Sequence, residues 1–238
     1  MRIIAFDSST EWCSVAVGDG ERWLQHEEAV GQTHSTRLLP MIDALLTESG
    51  WRLSDIEGLA FGAGPGSFTG VRIGCGVAQG LALGLDCPVL PVSTLAAIAQ
   101  STQCAGNDRR ADRVLVCTDA RMGEVYTAAY RREGTQWEEV SPPVVVSPAA
   151  LMAPSSPGTW TGAGNGFAAY PALAARLGLR DVRPLLRATG RSIGELALRG
   201  FVAGEGVDAK DALPAYVRDR VALTTTEREA GRTLSALS

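Results

Sequence analysis

The chain has one lysine, Lys210, and two histidines, His26 and His34, among its 238 residues. Each shortage removes a class of chemistry. A Walker-type phosphate loop needs a lysine right after its last glycine, but Gly70 is followed by Val71 and Arg72. A metal-binding histidine pair needs two imidazoles on one helix face, whereas His26 and His34 fall on different expected elements, and Asp43 and Glu48 do not complete a site. Both histidines read as surface or capping residues, and no metal site is expected. The five cysteines (Cys13, Cys75, Cys87, Cys104, Cys117) contain no Cys-x-x-Cys pair. An odd, dispersed set indicates neither a disulfide framework nor a zinc ribbon, and buried free thiols are expected. Positive charge is not in excess either: the net charge is −4, unlike the basic face of most nucleic-acid binders. Arginines cluster at Arg109, Arg110 and Arg113 and at Arg180, Arg183, Arg187 and Arg191, without interleaved aromatics, and read as solvated faces. Asp7 interrupts the apolar start, and no stretch is expected to approach a membrane span, so a cytoplasmic globular protein is the expectation.

Glycine, by contrast, is plentiful, and it concentrates in the run Gly62 to Gly74, Gly-Ala-Gly-Pro-Gly-Ser-Phe-Thr-Gly-Val-Arg-Ile-Gly. This is a shaped turn opening into an apolar helix, with Pro65 restricting the backbone between glycines. Two readings compete. The loop is either an anion cradle of backbone N–H groups at a helix start or a tight strand-to-helix connection pressed against another backbone; a glycine loop alone favours the second. A nucleophile elbow fails, because Pro65 and Thr69 stand where Gly-x-Ser-x-Gly needs glycines around Ser67.

This run resembles the hallmark of the TsaB (YeaZ) family, bacterial proteins of tRNA threonylcarbamoyladenosine synthesis. Its signature positions are Gly64, Pro65, Gly66 and Ser67, then Phe68, Thr69, Gly70 and Arg72. Phe6-Asp-Ser-Ser-Thr10, Asp119-Ala-Arg-Met-Gly-Glu-Val-Tyr126 and Leu213-Pro-Ala-Tyr-Val-Arg218 match in order and spacing, so the resemblance covers residues 1 to about 220.

Periodicity gives the first third as βββαβαβα: strands at 2–7, 13–18 and up to 28, with an Asp19-Gly20 hairpin turn. A helix around Leu38 to Leu46 follows, capped by Thr33 or Ser35, closed by Gly50 and kinked or delayed by Pro40. Then come a strand at 59–61, a helix over 69–85, a strand at 89–92 and a helix over 94–102. The strand ending in Asp7 is echoed by one at 114–119 ending in Asp119, each followed by another apolar strand, which suggests a duplicated domain. The polar stretch 102–112 is the natural boundary. The expected domains are an N-terminal lobe at 1–108, a C-terminal lobe with a degenerate repeat at 109–221 and a flexible tail at 222–238. Duplication and resemblance both point to an α/β fold of the actin, Hsp70 and sugar-kinase superfamily, a duplicated ribonuclease H-like fold in two lobes.

That superfamily makes Asp7, Ser9 and Thr10 candidates to face nucleotide phosphates, against the plainer reading of a hairpin tip bonding its own backbone. Asp119 to Gly123 lacks the glycines of a second phosphate turn. The segment 161–166 is either an adenosine loop or a turn into a helix. The catalytic paralogue TsaD carries a histidine pair on a helix, where the matching residues here are Thr94 and Ile98. The resemblance therefore implies a non-catalytic subunit without cofactor or metal of its own; ATP and a divalent metal are expected on TsaD and the small ATPase TsaE. The complex would modify adenosine 37 of tRNAs reading codons that begin with A, with tRNA held through the complex. Nearly every side of the helix over 71–85 is apolar or small, so it is expected to be buried all round, partly by a partner. Family docking implies Leu39, Ile42, Leu45, Gly76 and Gly80 as interface, and leaves a homodimer open when TsaD is absent. The alternatives are a stand-alone ATP-dependent kinase relative using Asp7 and Asp119, or a peptidase acting on TsaD.

Overall fold

The computed structural model describes residues 1–104, 111–155 and 158–218. The expected boundary at 108/109, the tail at 222–238 and the arginines Arg109 and Arg110 lie outside the described residues. Alternating apolar residues build β1 (Ile3–Asp7), β2 (Trp12–Gly18) and β3 (Trp23–Ala29), followed by α1 (His34–Ser49), β4 (Gly58–Gly64), α2 (Phe68–Leu85), β5 (Val89–Ser93) and α3 (Thr94–Cys104). The second half supplies β6 (Arg113–Asp119), β7 (Val125–Glu133), β8 (Gln136–Val146), β9 (Thr161–Ala163), α4 (Gly166–Ala169), α5 (Ala172–Arg176), β10 (Asp181–Arg183) and α6 (Gly190–Val202).

Each half forms one five-stranded mixed sheet, in the orders β3-β2-β1-β4-β5 and β10-β9-β6-β7-β8. The wiring is the same: the first strand of each half lies antiparallel to the second and parallel to the fourth. The duplication inferred from Asp7 and Asp119 is thus a duplication of topology, and the fold is the two-lobed, duplicated ribonuclease H-like α/β fold.

Strand alternation sorts the side chains into layers. From β1, Ile4 and Phe6 face α1 and α2, meeting Leu38, Ile42 and Leu45 of α1 and Cys75, Ala78 and Ala82 of α2. Ile3 and Ala5 face the other way, into a core shared by Leu95 and Ile98 of α3, Ile193 and Ala197 of α6, and Val114, Val116 and Tyr130 of the second sheet. The far face of the second sheet is covered by Phe167 of α4 and Leu173 of α5.

Four expectations need correction. The helix α1 begins at His34, six residues before Pro40, which stands inside it, so the proline does not delay the start; the burial of Leu38, Met41, Ile42 and Leu45 offsets the cost of its missing N–H. Neither Thr33 nor Ser35 caps it: Thr33 sits at the cap position, but its hydroxyl donates to Val30 O. The lobe division by sequence is also incomplete, because α6 packs on β1 and β2 of the first sheet, and Gly190 donates its N–H to Ser14 Oγ at 2.8 Å. Finally, α2 does reach the length and mean hydropathy of a membrane span, 18 residues at 1.2, although one of its faces lies on β4 and β1.

Candidate functional site

The glycine run spans the end of β4, the turn and the start of α2, and Gly66 and Gly70 press against the β1–β2 turn. A Cβ on Gly70 would stand 1.9 Å from Ser8 O, and one on Gly66 would stand 2.6 Å from Ser9 Cβ. Ser67 donates its N–H to Ser9 O at 2.7 Å, accepts the Gly70 N–H on Oγ at 3.3 Å, and so caps α2. Ser8 Oγ returns a bond to Gly70 O at 2.8 Å. These N–H groups are spent inside the chain. The packed-connection reading of the loop is the one the geometry supports.

Asp7 closes β1 and is 1% exposed. Its Oδ2 accepts from Ser9 N–H at 3.1 Å and Ser9 O–H at 2.9 Å, while Oδ1 has no hydrogen-bond partner and lies 2.1 Å from where a Cβ on Gly62 would be. Burial pushes its pKa up to about 7, against the two Ser9 bonds that pull it down. Thr10 caps the turn locally by accepting Trp12 N–H at 3.1 Å. Of the three residues expected to face phosphate, Asp7 and Ser9 are buried and bonded to each other. The counterpart Asp119 is differently engaged, accepting the Arg121 backbone N–H at 2.9 Å and the Arg121 guanidinium at 3.3 Å. Residues 161–166 form β9 and the turn into α4, with Asn165 Oδ1 accepting Asp119 N–H at 2.9 Å.

At the positions matched to a metal-binding helix, Thr94 donates to Pro65 O at 2.5 Å and Ile98 is 3% exposed. Among the described residues no cluster of three His, Cys, Asp or Glu side chains could hold a metal ion. His26 pairs with Glu48 on the surface, and His34 is buried with Nε2 3.2 Å from Trp12 O. Cys13, Cys75 and Cys117 are buried free thiols, and Cys87 and Cys104 are half-buried. Burial lifts Cys13, Cys104 and Cys117 to about 12, which removes them as nucleophiles near neutrality. The second arginine cluster is largely tied down: Arg183 pairs with Asp181, Arg191 with Glu195, and Arg187 with Glu27 while stacking 4.0 Å over Trp12.

The sequence matches the segment 213–218 to the family but gives no sign of what it touches. Tyr216 leans on the signature: its Oη accepts from Arg72 Nε at 2.8 Å, and the Arg72 guanidinium lies 3.5 Å over the Phe68 ring. Two of the matched motifs therefore touch. The separation of 144 residues hides this from any local pattern.

Similarity to known proteins agrees with this geometry. A family model described as TsaD, tRNA N6-adenosine threonylcarbamoyltransferase, matches residues 26–215. The tRNA threonylcarbamoyladenosine biosynthesis protein TsaB of Escherichia coli (strain K12) is 44% identical over 230 residues, covering 93% of this chain and 96% of the relative. The chain belongs to the TsaB family. The protein of the same name from Haemophilus influenzae is 36% identical over 237 residues, with 93% and 95% covered. The structure of YeaZ from Pseudomonas aeruginosa superposes with a TM-score of 0.82 at 40% identity, covering 90% of this chain and 99% of that one.

The five positions expected at a partner interface separate into two groups. Ile42 and Leu45 are 3% and 0% exposed and belong to the chain's own core, so they present nothing to a partner. Leu39 is 49% exposed. Gly76 and Gly80 are exposed, and a Cβ on either, or on Gly84, would meet nothing within 4 Å; Leu83 beside them is 80% exposed. Within this chain one face of α2 is core and the other, among the described residues, is an open ridge, the face left for the expected partner.

Proposed function

We propose that this TsaB-family chain is a non-catalytic subunit of tRNA threonylcarbamoyladenosine synthesis that binds and activates TsaD, with TsaE as a further partner. The observation that carries the reading is the open ridge of α2. Each exposed glycine inside a helix costs about 1 kcal/mol relative to alanine, and Gly76 and Gly80 have no contact among the described residues that would require them. Close approach of another helix at four-residue spacing supplies the missing reason. Leu39 and Leu83 flank that approach as exposed apolar contacts. Reactive groups, nucleotide and metal then reside on the partners, and preferential binding to the working conformation of TsaD shifts its population toward activity.

The decisive experiment is reconstitution of tRNA modification from TsaD, TsaE and this chain, with Gly80→Leu as the probe. The leucine projects into open space, so the variant folds normally and loses TsaD binding and most of the modified tRNA. Full yield with Gly80→Leu, or full yield with the chain omitted, overturns the reading. Magnesium-ATP hydrolysis by the isolated chain is expected at background, and TsaD is expected intact after co-incubation; turnover in the first or cleavage in the second would revive the kinase or peptidase alternative.

A further inference from the structure

The segment 213–218 is tied at both ends, and its two anchors belong to different lobes. At the first anchor, Ala215 donates its N–H to Ala63 O at 2.8 Å, and Tyr216 bonds Arg72. The carbonyl of Ala215 lies 2.9 Å from where a Cβ on Gly64 would stand. Just before the segment, the carbonyl of buried Ala212 accepts from Cys75 Sγ and Gln79 Nε2 of α2, each at 3.1 Å. At the second anchor Arg218 crosses to the turn after β6. Its Nη2 donates to Ala120 O at 3.2 Å and to the Glu124 carboxylate, Nη1 points at Met122 Sδ at 3.7 Å, and the guanidinium lies 5.7 Å from the Tyr126 ring centroid. The Arg218 side chain is only 13% exposed, so this charge-assisted pair is shielded in a way that a surface ion pair is not.

Three peptide units separate Ala215 from Arg218, which places the ends of β4 and β6 within about 10 Å plus the reach of one arginine. These are carboxyl ends of strands, where an open α/β sheet leaves its crevice. Deeper in the molecule the lobes are joined by the apolar layer of α3 and α6. One such layer leaves two lobes free to hinge about it, and a second tie across the mouth removes that freedom.

We propose that 213–218 is a latch that holds the two lobes closed across the ends of β4 and β6, so that the glycine loop, α2 and the turn at 120–124 move as one body. The layers behind it are nested: the strap backs Gly64, the loop backs Ser9, and Ser9 holds Asp7. The molecule is thereby a rigid platform rather than a pair of jaws.

Hydrogen exchange of the full chain, read by mass spectrometry or NMR, tests this without any partner. Arg218→Ala is expected to speed exchange at least tenfold at the amides of 120–126, of 213–217 and of Ser67, whose N–H is bonded to Ser9 O, while β3 and α5 keep their wild-type rates. Arg218→Lys retains the charge but loses the forked donors, and is expected to fall between the two. Acceleration confined to 213–217 would mean that the segment frays without releasing anything, and would overturn the proposal. So would an equal rise everywhere, which is loss of global stability, or no change at all.

Discussion

The glycine loop and the outer face of the helix it opens carry the same residue for opposite reasons. At Gly66 and Gly70 a side chain would enter the β1–β2 turn; at Gly76 and Gly80, further along α2, it would meet no described residue. One set of glycines lets the chain approach itself, and the other leaves room for something else. Composition cannot separate these cases, because a helix count scores all of them as small. Only the neighbour across the gap distinguishes them.

The comparison is broken most directly by filling both places. Gly70→Val should be the most damaging change, since its Cβ must displace the Ser8 carbonyl; a loss of more than about 3 kcal/mol in denaturant unfolding is expected. Stability close to wild type would show that the turn yields easily. On the outer face of α2, Gly80→Leu should lower TsaD affinity at least tenfold in calorimetry while the melting temperature of the isolated chain holds or rises. A joint loss of affinity and stability would place Gly80 inside the fold instead.

Asp7 sharpens the same contrast, because Gly62 is kept small by the Asp7 carboxylate that stands over it. The folded pKa of Asp7 is raised from 3.8 to about 7, so between those values the folded state holds a proton that the unfolded chain has released. Stability from this group is therefore intact below about pH 4 and declines as pH rises through 7. Asp7→Asn stays neutral throughout. Its unfolding free energy minus that of wild type should grow by on the order of 3 kcal/mol between pH 4 and 8; a flat difference would mean that Asp7 titrates normally. The smallest effect belongs to Gly76→Ala, which should add about 0.5–1 kcal/mol to the isolated chain, with circular dichroism melts as the check.

Much of the first lobe was legible in local pattern. Alternation located β1, β2 and β3, Gly50 closed α1 in the left-handed conformation at φ 72°, and the loop's opening into α2 was placed within one residue. Local pattern failed where the answer depended on distant chain. Ile42 and Leu45 carried the period of a buried face, but the period does not say whether the cover is the chain's own sheet or a partner. Asp7 and Ser9 had the residue types of a phosphate turn, and their burial comes from a loop more than fifty positions away. Tyr216 and Arg218 matched a motif without any sign of what they touch. The contacts of α6 with the first sheet left no trace in its sequence beyond an amphipathic period.

That last contact has a consequence for how the molecule is made. The inner side of the first sheet, with Ile3, Ala5, Ala60 and Val92, meets Ile193 and Ala197 of α6, so its cover leaves the ribosome well after all the strands of that sheet. Until then the nascent N-terminal half exposes an oily surface to the crowded cell, a state prone to aggregation. Synthesis of this protein should lean on chaperones until α6 has emerged, and a gene fragment encoding only the first hundred residues should yield inclusion bodies.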